Sequence, residues 1–282
     1  MRLLDQISTP GGVLNEDRAG FAGTIAWVID GATDIQDSPV LPGLTDVQWL
    51  VDCLAFRLAR AGCEQYRGDG VALLREIADA VEESMRRHRF PPDRLPPACS
   101  LVLLVDRGAD YELVRIGDAT AIARGARTTR VSTDYFDRRE AKAAGHHPGG
   151  LDSADARTGI ERRRLSYMVD GGMESVFSGH PARQLRPHRV VVDWSDTDVV
   201  LLCSDGLARL ITDYGIYQGW EDLMVAAGQG LRDLEQQARG VERGMAEPSV
   251  KRFKKADDIA AVLIGPTTTA GRIDPWMRDR RT

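Results

Sequence analysis

Cysteine is scarce in this chain of 282 residues. Its four cysteines, Cys53, Cys63, Cys99 and Cys203, show no Cys-x-x-Cys spacing, which excludes the usual zinc and dithiol redox motifs. All four fall on expected helices or strands and read as buried small apolar residues in a reducing compartment. Disulfides are not needed, because a compact domain of this length buries roughly 75% of its unfolded surface. No run approaches the ~20 apolar residues that cross a bilayer. Met1 to Ser8 lacks the apolar core of a secretory signal. A cytoplasmic protein with no membrane partner is therefore expected. Positive charge is not in excess: the net charge is −5 and the pI near 5.6, which argues against nucleic acid as a partner. The basic runs Arg162-Arg163-Arg164 and Lys251-Arg252-Phe253-Lys254-Lys255 read as solvated surface. No internal repeat is present.

What the chain does have is acid at the ends of apolar runs. The segments are Asn15-Glu16-Asp17, Trp27-Val28-Ile29-Asp30-Gly31, Leu201-Leu202-Cys203-Ser204-Asp205-Gly206, and Ala256-Asp257-Asp258 before Ile259-Ala260-Ala261-Val262. Each apolar run reads as a buried strand, so each acid sits where a strand meets a loop. Asp-Gly alone is first a turn dipeptide. Several carboxylates gathered at strand ends repel one another and are costly to desolvate. Hard divalent cations with all-oxygen ligands remove that cost. A pair of them about 3.5–4 Å apart is a recurring device for phosphate-ester hydrolysis.

Between these segments the periodicity alternates. Residues 3–8 and 20–30 read as strands. Val47, Leu50, Val51, Leu54, Ala55, Leu58 and Ala59 recur at helical spacing, as do Leu73, Leu74, Ile77, Ala78, Val81 and Met85. Pro91, Pro92, Pro96 and Pro97 close this helical section. Strands over 100–106, 111–116 and 119–124, with short connections, predict an antiparallel meander. A short helix is expected around 137–144. Residues 145–189 lack clear periodicity and read as a flexible excursion near the site. Strands follow over 190–194, 199–203 and 259–264, with a helical section around 220–240. This order suggests an α+β layered domain over residues 1–265, with 266–282 as a loose tail.

Taken in order, the motifs resemble the metal-dependent, or type 2C, protein phosphatase family. Asn15-Glu16-Asp17 resembles its N-terminal acidic motif and Val28-Ile29-Asp30-Gly31 its first metal-ligand strand. Ala98-Cys99-Ser100-Leu101-Val102 resembles its Gly-Ser-Thr-Ala strand, Val114-Arg115-Ile116-Gly117-Asp118-Ala119 its Gly-Asp-Ser segment, and Val131-Ser132-Thr133-Asp134-Tyr135 its Leu-Thr-x-Asp-His. Ser204-Asp205-Gly206-Leu207 and Asp257-Asp258 resemble its last two ligand motifs. The resemblance runs through nearly the whole chain. It implies an αββα sandwich of two mainly antiparallel sheets flanked by helices.

The same resemblance implies the chemistry, in the manner of bacterial members. By that implication Asp30 would bridge two manganese or magnesium ions, the Gly31 carbonyl would ligate one of them, Asp205 and Asp257 would hold the second, and Asp118 would be the ligand of a third, weaker one. Glu16 and Asp17 would hold metal-bound waters. A metal-bound hydroxide would attack phosphoserine or phosphothreonine of a protein, with no phosphoenzyme and no phosphate-cradling Cys-x5-Arg loop. Two positions depart from the family pattern. Gly12 stands where an Arg commonly clamps the phosphate, and Ala32 stands where a His commonly follows Asp-Gly. Arg18, Arg162, Arg163 or Arg164 would have to supply the clamp, and His146 or His147 a proton, although a polar loop is the plainer reading of the histidines. The phosphate-binding residue is left open. Asp258, in place of the usual Asn, is expected to matter little. The alternatives to a phosphoprotein substrate are a small phosphate ester, or a binding module without turnover.

Overall fold

In a computed structural model of the chain, the described residues are 1–36, 38–136, 138–139, 154–170, 172–244 and 256–267. The chain opens with β1 (Arg2–Thr9), β2 (Arg18–Ala22) and β3 (Ile25–Gly31). Helices α1 (Asp46–Cys63) and α2 (Gly70–Arg87) follow, then β4 (Ala98–Asp106), β5 (Asp110–Ile116), β6 (Thr120–Gly125) and β7 (Thr128–Val131). Next come α3 (Ala154–Val169), the two-residue β8 (Phe177–Ser178), β9 (His188–Asp193) and β10 (Thr197–Cys203). Helices α4 (Asp205–Thr212), α5 (Trp220–Ala227) and α6 (Leu231–Gly244) precede β11 (Ile259–Gly265).

The strands form two antiparallel sheets. One has the order β1-β11-β10-β6-β7; the other runs β2-β3-β4-β5-β9, with β8 paired to β4. Strands buried on both faces appear in the sequence as continuous apolar runs, and β4, β10 and β11 are of that kind. Ala26, Val28, Val102 and Leu104 of one sheet pack against Ala121, Val200, Leu202 and Val262 of the other. Helices α1 and α2 cover one outer face through Leu50, Leu54, Leu58, Leu74 and Ile77. Helices α4 to α6 cover the other through Leu207, Leu210, Leu223 and Leu234. Each fully buried Leu or Ile contributes about 1.5–3 kcal/mol. The result is the expected αββα sandwich.

Both helices of the first layer start on side-chain caps, Thr45 Oγ1 accepting from Gln48 N at 2.9 Å and Asp69 Oδ1 from Ala72 N at 2.9 Å. Each bond satisfies an otherwise orphaned backbone donor.

Several expectations need correction. Residues 20–30 are not one strand: they hold the end of β2, the turn at Gly23-Thr24 and most of β3, the two strands forming a hairpin. The meander breaks at Gly117-Asp118, because β5 and β6 belong to different sheets. Residues 154–169, read as an excursion, form α3, and the section around 220–240 is two helices. Helix α3 escapes detection because it lacks an apolar stripe: over the described side chains, residues 158–169, only Ile160 and Met168 are buried hydrophobics. Helix α4 was not expected at all. Cys63 is exposed at the end of α1, while Cys99 and Cys203 are buried and Cys53 is half-buried. Most of the helix expected around 137–144, His146, His147, Lys251 to Lys255, and the tail beyond 267 lie outside the described residues. Among the described residues no helix is long and apolar enough to cross a membrane.

Candidate active-site cleft

Three strand ends meet where the two sheets open. Asp30 is the penultimate residue of β3, opposite Ser100 of β4. Asp205 is the first residue of α4, separated from β10 by Ser204, and Asp257 lies just before β11. The Asp205 N–H donates to Asp30 Oδ2 at 3.2 Å, which ties the start of α4 to the opposite sheet. A carboxylate in the first turn of a helix also meets the positive end of its dipole.

The fourth acid arrives through the Gly117-Asp118 corner. Gly117 has φ +81, and a Cβ there would lie 2.0 Å from Ser100 Oγ. Only glycine fits both the backbone and the space. The Asp118 N–H donates to Ser100 Oγ at 3.1 Å. Arg115, fully buried, donates to the Gly117 carbonyl and holds both oxygens of Glu174 at 2.9 and 3.1 Å. This pair fixes the corner that takes the chain from one sheet to the other.

Asp30, Gly31, Asp118, Asp205 and Asp257 line one cleft of about 200 Å³. Its other walls include Phe136, Ile160, Arg163, Arg164, Tyr167 and Arg209. Phe136 and Tyr167 meet edge to face, with ring centroids 4.9 Å apart. Glu16 and Asp17 stand behind the cleft rather than in its lining. Asp17 Oδ1 accepts from Gly31 N at 3.2 Å, and Thr45 donates its hydroxyl to Glu16 Oε1 at 2.7 Å. A Cβ on Gly31 would lie 2.4 Å from the Glu16 carbonyl, so only glycine lets the two segments approach.

Asp258 has a larger part than its sequence position suggested. Its two oxygens accept from Gly11 N at 2.8 Å and Glu16 N at 2.7 Å. The carboxylate thereby clips the 10–17 loop to the start of β11.

The electrostatics follow from this crowding. The Asp17 carboxyl is pushed well above the usual carboxylate range, first by burial and then by repulsion from Asp257, Asp258 and Asp205, which the Ser204 hydroxyl only partly offsets. The Asp30 carboxyl is raised well above it too, by burial and then by Asp17, Asp205, Asp118 and Asp257. Burial, followed by these carboxylates, raises the Cys99 thiol and keeps it protonated.

The arginines divide. Arg18 turns away from the cleft, with Nε on Asp52 at 2.7 Å and Nη1 on the Asn15 and Asp17 carbonyls. Arg162 is exposed and outside the lining. Arg163 and Arg164 line the cleft, and Arg164 donates to the Thr33 carbonyl at 2.6 Å. Arg209, not singled out in the sequence, is 3% exposed and donates to Asp257 Oδ2. Contrary to expectation, Cys203 and Arg209 do have Cys-x5-Arg spacing. It cradles nothing here: residues 205–212 are helical, burial raises the Cys203 thiol far above its ordinary value, and Arg209 is committed to Asp257.

An all-oxygen donor set of mutually repelling carboxylates fits a hard divalent cation. Among the described residues no three His, Cys, Asp or Glu side chains already converge as a ligand group.

No family model matches the sequence, and no curated protein matches it. Solved structures match over most of the chain. The serine/threonine phosphatase PstP/Ppp of Mycobacterium tuberculosis is 18% identical, covers 92% of this chain and 95% of its own, and has a TM-score of 0.53. The serine/threonine phosphatase Stp1 from Staphylococcus aureus is 13% identical, with coverage of 95% and 96% and a TM-score of 0.52. This chain has the fold of the bacterial serine/threonine phosphatases. PppA of Pseudomonas aeruginosa, at 18% identity and a TM-score of 0.51, matches 92% of this chain and 94% of its own. The PstP catalytic domain has also been solved in complex with 2 manganese ions. At these identities the likeness is one of fold; within it, the cleft lies where β3 and β10 end and β11 begins.

Proposed function

We propose that the protein is a divalent-metal-dependent phosphatase of phosphoserine and phosphothreonine in proteins. The observation that carries this reading is the meeting of Asp30, Asp118, Asp205 and Asp257 in one cleft beside Arg163. The fold shared with serine/threonine phosphatases supports it.

Asp30, the Gly31 carbonyl, Asp205 and Asp257 would hold two manganese or magnesium ions, and Asp118 a third. Bound ions of this kind bring a water to ionisation near neutral pH and screen charge on phosphorus. The remaining work falls to the chain. Glu16 and Asp17, fixed from behind by Thr45 and Gly31, orient water at the cleft floor. Arg163 takes the place of the missing clamp at Gly12, its planar fork matching two phosphoryl oxygens. Phe136, Ile160 and Tyr167 exclude water from the leaving-group side. Neither Cys99 nor Cys203 serves as nucleophile, because burial keeps both thiols protonated.

The aromatic wall of Phe136 and Tyr167 favours, as a second reading, a small phosphate ester with a planar leaving group. Release of inorganic phosphate with manganese, from a panel of phosphoserine and phosphothreonine peptides and a panel of phosphorylated metabolites, separates the two. Turnover confined to the peptides supports the first reading. Turnover confined to metabolites supports the second, and turnover of neither removes both.

A further inference from the structure

Arg209 carries a buried guanidinium that reaches Asp257, one of the proposed metal ligands. It lies four residues after Asp205 on α4, a spacing that puts two side chains on one helix face. It donates through Nη2 to Asp257 Oδ2, and its Nε lies 3.9 Å from Asp213 Oδ2. Its side chain is 4% exposed and that of Asp257 19% exposed, so water screens the pair poorly. Arginine does not lose its proton in proteins. A permanent positive charge therefore already sits on a carboxylate that a divalent ion would need, and its carrier cannot be neutralised to make room.

We propose that Arg209 is the internal counter-cation of this cleft: it neutralises Asp257 in the metal-free protein and competes with the ion that Asp205 and Asp257 would share, making that ion the weaker-bound of the two. The proposal rests on reading the cleft as a site for divalent ions. It implies stepwise loading. One ion binds to the Asp30 side while Arg209 stays on Asp257, and the other binds only as the guanidinium swings off.

Calorimetric titration with manganese chloride tests this on the full chain, comparing wild type with Arg209→Gln and Arg209→Lys. In wild type the affinities of the two ions should differ by at least tenfold. Arg209→Gln, which keeps the length of the side chain without its charge, should tighten the weaker ion at least tenfold and leave the stronger within about twofold. Arg209→Lys, still cationic, should stay near wild type. Unchanged affinities in a folded Arg209→Gln variant overturn the proposal, as does a second ion that becomes weaker or is lost. A wild type and variant that both bind no ion reject the metal reading itself, whereas binding in the variant alone supports the competition. Magnesium titration of wild type, followed by arginine Nε–H resonances, covers a variant that does not fold. A shift that tracks the weaker ion supports the proposal, and the absence of any arginine shift overturns it.

Discussion

The Glu16 N–H donates to Asp258 Oδ2 at 2.7 Å, across 242 positions of sequence. Together with Gly11 N on the other oxygen, it makes one carboxylate the fastener between the acidic loop and the strand that follows Asp257. The segments carrying Asp17 and Asp257 are therefore held together before any ligand binds.

Asp258→Ala should leave both backbone donors unpaired. A buried, unsatisfied donor costs about 1–3 kcal/mol, so the variant should lose about 2–4 kcal/mol in urea unfolding. Asp258→Asn, which keeps one acceptor, should lose roughly half of that. A stability within about 0.5 kcal/mol of wild type for the alanine variant would mean the clip carries no load.

Arg163→Ala should raise KM for a phosphopeptide or for p-nitrophenyl phosphate by about 10–100-fold, the loss expected for one charge-assisted bond. Arg162→Ala should stay within about twofold of wild type, because Arg162 is exposed and outside the cleft. The reverse ranking would place the phosphate clamp on the other side of α3.

The metal-free protein should be destabilised as pH rises. Asp17 and Asp30 have carboxyls raised well above the ordinary value of 3.8, so the folded state keeps protons that the unfolded chain releases. Their contribution is fully present below the ordinary value and is lost as pH rises through the raised ones. With chelator present, Tm should fall as pH rises above the ordinary carboxylate range, and Asp30→Asn should flatten that fall. A wild-type Tm that rises with pH there, with no difference in the variant, would contradict the electrostatic account.

The residues of this cleft were unequally visible in the sequence. Asp30, Asp205 and Asp257 show themselves because each borders an apolar run, and a run ending in acid is a local signal. Asp118 stands out only through the resemblance of Gly117-Asp118 to a Gly-Asp-Ser segment, and its corner, read as a turn within one sheet, carries the chain between two. What sends β6 to the other sheet includes the Arg115 bond to the Gly117 carbonyl and the Arg115–Glu174 pair, and a contact 59 residues away leaves no periodicity. Arg209 looks like the polar side of a short amphipathic helix; its pairing with Asp257, 48 residues on, leaves no local signal. Asp258 was undervalued for the same reason, since its donors lie at the far end of the chain. Apolar runs and helical periodicity mark most strands and the first two helices, the two-sheet sandwich followed from the family resemblance, and the pairings that shape the cleft are long-range hydrogen bonds.

The most direct measurement is hydrolysis of p-nitrophenyl phosphate by wild type and Asp30→Asn, before chelation, after exhaustive chelation, and after return of manganese or magnesium. Wild type should lose activity on chelation and regain it with manganese or magnesium, and only poorly with calcium, whose looser coordination positions water badly. Asp30→Asn should remain folded and stay at least about a thousandfold slower, roughly 4 kcal/mol of lost transition-state stabilisation. Full wild-type activity after chelation, or an Asp30→Asn variant within about tenfold of wild type, roughly 1.4 kcal/mol, would contradict a metal-dependent phosphatase built on Asp30.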